Sequence, residues 1–233
     1  GVFGITSALI AFLLLNRLGV GKHLVKTSLK ELPLTPTIMK KSDWGITDRT
    51  GFTFLSIIGI LDGAARSGFL TFLPFLLVSK GAQVEIVGFA LALTFAGGAT
   101  GKFVCAFLAA RLGVIRTVII TEAITGIGII FVLHLSLHWA LALLPLIGLG
   151  LNGTSSVLYG TVSDFVRSDR RARGFGLFYT LAIGGGASAP VLFGLLSDVT
   201  SVEITLLLVS IVALMTIPVC RFMVAPLARV KIK

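Results

Sequence analysis

Apolar residues fall along this chain in long runs broken by short charged or turn-forming segments, not in the alternation of a half-buried strand. A helix that crosses a bilayer needs about 20 mostly apolar residues, because lipid offers no partner to unsatisfied backbone groups. Seven runs approach or exceed that length: Val2 to Leu15, Gly51 to Val78, Ile86 to Ala110, Val118 to Leu135, Trp139 to Val162, Gly174 to Leu196 and Ile204 to Val219. The first is short and has neither the basic start nor the small-residue cleavage site of a signal peptide. The pattern predicts an all-α, polytopic membrane protein.

The polar remainder sets the organisation. Gly21 to Arg49 is the one long polar stretch, with Pro33, Pro36 and five lysines, and reads as a linker between helical bundles. The expected divisions are 1–20 as the last helix of a missing N-terminal bundle, 21–50 as a cytoplasmic linker, 51–221 as a six-helix bundle and 222–233 as a cytoplasmic tail. Lysine and arginine near span ends are retained on the cytoplasmic side. Alternate loops and the tail hold 17 of them, against Lys80 alone on the other side, which predicts a cytoplasmic C-terminus.

Composition sharpens this picture. Of the 233 residues, 55% are hydrophobic and 13% charged, and mean hydropathy is +1.02, which excludes a soluble globular domain. The net charge of +10 lies between apolar runs without interleaved base-stacking aromatics, so topology accounts for it and no nucleic-acid partner is expected. Cys105 and Cys220 sit inside apolar runs and form no disulfide framework. The three histidines lie in loops or at span edges, so neither a metal site nor a cofactor is expected.

An internal repeat is visible. Gly97-Gly98-Ala99-Thr100 and Gly185-Gly186-Ala187-Ser188 are offset by 88 residues, about three helices with their loops, in spans of opposite direction. At the same offset Ala106 meets Gly194 and Ala110 meets Asp198.

Three places then resemble the C-terminal half of the major facilitator superfamily. Ala106 through Arg111, Gly113 and Arg116 are similar to its Gly-x-x-x-Asp-Arg-x-Gly-Arg-Arg loop motif, with alanine replacing both the glycine and the acid. Tyr159, Asp164, Arg173-Gly174, Gly176 and Tyr179 resemble its span 10 to 11 junction, and Gly184 to Pro190 with Gly194 to Asp198 its eleventh helix. Gly194 to Glu203 is also loosely similar to fosmidomycin-resistance-type drug exporters. The resemblance implies a six-helix bundle of 3+3 inverted repeats, half of a carrier working by alternating access. It further implies a plasma (inner) membrane location, and proton-coupled efflux of a drug or metabolite as the leading activity. Uptake of a sugar, metabolite or organic anion is the alternative. Partners would be the solute, protons, the bilayer and the missing N-terminal bundle, without which the fragment should not transport.

Ionisable groups inside spans are costly and usually face protein or water. Asp62 and Arg66 are four apart on one helical face with Ser56, Gly59 and Gly63, either as a cavity contact for substrate or coupling ion or as a pair joining helices. Lys102 lies nine residues before Arg111, about 13 Å along a helix, where it snorkels, pairs or meets an anion. Glu122, six residues past Arg116, is expected near the cytoplasmic interface, paired with a loop arginine or, as the lesser alternative, carrying a proton. Asn152, Ser155, Ser156 and Tyr159 share a face, with Tyr179 on the next span, as pathway lining or as helix-joining polar groups. Asp164 could clasp Arg111 or the cluster Arg170, Arg171 and Arg173 as a gate. Gly97, Gly101, Gly184, Gly185, Gly186 and Pro190 would let helices approach closely.

A seven-helix receptor is the competing class, but span 7 lacks a retinal-binding lysine and the junction after Asp164 lacks Asp-Arg-Tyr. An intramembrane protease would need a second deep aspartate or a serine with a helix-borne histidine, and neither pattern is evident, so no enzyme is expected.

Overall fold

The computed structural model describes residues 44–231. The expected helix at 1–20 and most of the linker lie outside these residues. Among the described residues, six helices are long and apolar enough to cross a membrane. They are α1 (Arg49–Ser79), α2 (Val84–Leu112), α3 (Val114–His134), α4 (Leu137–Val162), α5 (Arg171–Val199) and α6 (Val202–Phe222), followed by the short α7 (Val224–Lys231). Each starts before its apolar run does, because helical hydrogen bonding continues into the interface, where charged residues such as Arg49 and Arg171 are tolerated.

Local chemistry fixes the ends. Asp48 Oδ1 accepts from the Gly51 backbone N–H at 2.9 Å and caps α1, and Ser201 Oγ accepts from that of Ile204 at 3.2 Å and caps α6. Gly113, at φ 85°, turns the chain between α2 and α3 with no space for a linker and in a conformation other residues rarely adopt. The segment entering α1 is clipped to the α4–α5 loop, with Thr47 N–H donating to Phe165 O and Arg167 N–H to Gly45 O, both at 2.9 Å.

Packing follows the repeat. α2 lies on α4 and α5 on α1; α3 contacts α4 and α6 contacts α1; α3 and α6 pack on each other. Exchanging the first three helices for the last three leaves this set of pairings unchanged, as an inverted repeat demands. The matched glycines serve equivalent contacts: Gly97 lies against the Pro145 carbonyl of α4, and Gly185 against Ile60 of α1. The two contact helices are also the outermost, and only 11% of the α5 span is buried. Apolar side chains exposed on α2 and α5, such as Phe103 and Leu192, therefore face lipid or another bundle.

Lys80, the lone basic residue of its loops, has a structural role. Its ammonium donates to the carbonyls of Leu133 at 2.9 Å and Leu135 at 2.8 Å, so the α1–α2 loop caps the C-terminal end of α3. Lys80→Met keeps the stem and removes the donors, and should cost about 1–2 kcal/mol. Thermal unfolding of the full-length protein in detergent reads this directly; an unchanged midpoint would mean that water replaces the ammonium without loss.

Candidate functional site

Asp62 and Arg66 form the expected pair. One turn of α1 separates them, and Arg66 Nη2 donates to Asp62 Oδ2 at 2.9 Å. Asp62 is 4% exposed, whereas the Arg66 side chain is 25% exposed. The carboxylate is thus inside the bundle and the guanidinium at its rim. The rest of the predicted stripe packs: Ser56 Oγ donates to Phe52 O at 2.8 Å, and Gly59 and Gly63 lie against Phe178 and the Ala182 carbonyl of α5.

Glu122 corrects the sequence reading. Instead of standing near the interface with a loop arginine, it is 2% exposed inside the bundle, on the side of α3 that faces Asp62. The hydroxyls of Thr154 on α4 and Thr216 on α6 are also within its reach. The reason is that α3 begins at Val114, so Glu122 stands about 12 Å along the helix. A signal for this was present in Thr117, Thr121 and Thr125, which recur every fourth residue and are all buried. Glu122 adjoins that inward polar face. Thr154 Oγ1 and Thr121 Oγ1 lie 2.7 Å apart, which extends the polar interior from α3 to α4.

A cleft of about 350 Å³ opens beside the pair, between α1, α4 and α5. Arg66, Ser67, Tyr159, Tyr179 and Gly186 are among its lining residues. The Tyr159 and Tyr179 rings lie 5.4 Å apart at 31°, and Phe178 meets the Tyr159 ring edge to face at the same distance. Gly186 approaches the Gly63 backbone, which brings α5 close enough for the wall to form.

Asp62, Arg66, Tyr159 and Tyr179 are therefore brought together, while other sequence candidates stand elsewhere. Asn152 directs its amide at Gly98 in the α2–α4 contact, with Nδ2 buried and unpartnered. Ser155 and Ser156 bond back to the Asn152 and Gly153 carbonyls at 2.9 and 2.7 Å. Lys102 is exposed on α2. Arg111 covers the Phe107 ring at 4.6 Å, and Asp164 shares a separate cleft of about 450 Å³ with Arg116. Asp169 meets Arg167 at 3.3 Å and Arg170 at 3.5 Å, while Arg171 and Arg173 are exposed. Such exposed pairs contribute at most about 1 kcal/mol. Gly184 faces open space, and Pro190 is half-buried within α5.

Comparison with known proteins gives this geometry its context. The family description Major Facilitator Superfamily matches residues 55–232. The chain belongs to the major facilitator superfamily. Within it, the Gentisate transporter of Corynebacterium glutamicum is 34% identical over 133 residues, which make up 55% of this chain and 29% of that protein. The fold is similar to that of a mutant peptide transporter POT crystallised with sulfate, at a TM-score of 0.65 and 21% identity, over 78% of this chain and 41% of that one. The chain spans less than a third of the curated relative it matches. As a major facilitator chain with six apolar helices among the described residues, it is a multi-pass membrane protein. A guanidinium at the rim of a cleft has donors free to meet an anion.

Proposed function

We propose that this chain is the C-terminal bundle of a proton-coupled carrier for small organic anions, with aromatic carboxylates as the first candidates. The arginine-rich loops and C-terminus would lie in the cytoplasm, and an N-terminal bundle would supply the opposite wall of the site. The observation that carries this reading is the partly exposed Arg66 guanidinium in a cleft shared with the Tyr159 and Tyr179 rings. A guanidinium fork fits a carboxylate, and tyrosine rings fit a planar ring beside it. The relative named for gentisate, an aromatic acid, supports the same class. Export of an uncharged or cationic drug would leave Arg66 without a role in binding.

The test uses the full-length protein in proteoliposomes with an imposed proton gradient. Gentisate and benzoate should accumulate, and benzamide, which has the same ring without the charge, should not. Arg66→Lys should raise the KM for benzoate by about tenfold or more, because the point charge loses the bidentate fork. Equal accumulation of benzamide and benzoate, or of neither, would refute the proposal.

A further inference from the structure

We infer that Tyr159 and Tyr179 are the two jaws of a ring clamp: an aromatic acid held by Arg66 inserts its ring between them, and Tyr179 is the jaw that moves. The inference rests on the anion reading above and adds which residues select the substrate's ring and how they do so.

The closed clamp has no room for a third ring. The two tyrosine rings lie 5.4 Å apart at 31°. A flat ring seated between two others needs about 3.5 Å on each side, and so about 7 Å from jaw to jaw. The pair must therefore widen by about 1.6 Å and turn toward parallel. The jaws are not equally held. Tyr159 on α4 is half-buried and meets Phe178 edge to face at 5.4 Å, and Phe178 is only 1% exposed. Tyr179 on α5 is 53% exposed, and Gly176, three residues earlier, has nothing within 4 Å of where a Cβ would lie. Moving Tyr179 disturbs little packing, whereas moving Tyr159 disturbs the buried ring behind it.

Arg66 supplies the other half of the grip. It lines the same cleft from α1 and gives Nη2 to Asp62, but a guanidinium carries five N–H donors and keeps others for a carboxylate. An acid anchored there has its ring within the cleft of about 350 Å³ that the two tyrosines share. Two facing aromatic rings reward a flat ring, which makes contact over both of its faces. A puckered ring carries axial hydrogens that hold the jaws apart and forfeit that contact. The clamp thus distinguishes benzoate from cyclohexanecarboxylate, which has the same carbon skeleton and charge. Apolar burial alone predicts the reverse order, since the saturated acid has more apolar surface.

Calorimetric titration of the full-length protein in detergent with these two acids reads the clamp. Wild type should bind benzoate about three- to tenfold more tightly than cyclohexanecarboxylate. Tyr179→Leu, at an exposed position, should fold as wild type does and bring the two acids to equal affinity by weakening benzoate alone. Tyr179→Phe keeps the ring without its hydroxyl and should keep the preference. The clamp is overturned, with the anion reading left standing, if wild type binds both acids equally or favours the saturated one. The same holds if Tyr179→Leu fails to fold, retains the preference or weakens both acids alike, or if Tyr179→Phe loses the preference. A wild type that binds neither acid refutes the anion reading itself, and the clamp falls with it.

Discussion

Arg66→Gln destabilises the bundle more than Asp62→Asn does. The two side chains form one bond, but their surroundings differ: Asp62 is 4% exposed, whereas Arg66 is 25% exposed on a cleft. Removing one member of a buried ion pair costs about 3–5 kcal/mol, mostly from the charge left behind without a partner. Without Arg66 that charge is Asp62, held in the interior next to Glu122. Without Asp62 it is Arg66, which can turn into the cleft and be hydrated, so the loss should fall below about 3 kcal/mol. The double variant should recover much of the Arg66→Gln loss, giving a coupling energy of about 0.5–3 kcal/mol in a double-mutant cycle. Thermal unfolding of the full-length protein and its three variants in lipid nanodiscs provides the numbers. Equal losses for the single variants would show that both ends of the pair are equally wet.

The carboxyl pair also shows where reading a chain by its runs stops. The lengths of the apolar runs reveal the spans because lipid imposes a minimum length, and the Asp62–Arg66 bond is legible because helical spacing alone brings i and i+4 together. The neighbourhood of Asp62 and Glu122 brings α1 and α3 together, and no spacing within either helix encodes it. Its trace was the threonine stripe of α3, which marks the inward face without naming what it meets. Asn152 and Tyr159 illustrate the same limit. They share a face of α4, but one stripe crosses different neighbours at different depths, so Asn152 meets Gly98 of α2 and Tyr159 meets Phe178 and Tyr179 of α5. The loop charges behave similarly. Asp169, close in sequence to Arg167 and Arg170, meets both, because the short helix at Ser168–Arg170 brings it alongside them.

Adding a methyl group at Gly97 or Gly148 should damage this protein far more than adding one at Gly184. Helices in lipid gain no hydrophobic advantage from touching one another, so close packing and backbone approach hold α2 on α4. At Gly97 a Cβ would enter the Pro145 carbonyl, at Gly148 the Thr94 carbonyl and at Gly101 the Leu149 carbonyl. These are backbone atoms, which cannot turn aside as a side-chain end can, so relief requires the helices to separate along their length. Gly184, although part of an equally glycine-rich segment, has nothing within 4 Å of where its Cβ would lie. Gly97→Ala and Gly148→Ala should each lower stability by about 3 kcal/mol, the upper part of the range for overpacking. Gly184→Ala should gain about 0.5–1 kcal/mol, because alanine is the better helix former. The difference separates two readings of the glycine repeat. If α2 and α4 form a fixed unit against which α1 and α5 move, the two damaging substitutions will lower unfolding temperature and anion counterflow together. If instead α2 slides on α4 during transport, a methyl at Gly97 will slow counterflow while leaving the unfolding temperature near that of Gly184→Ala.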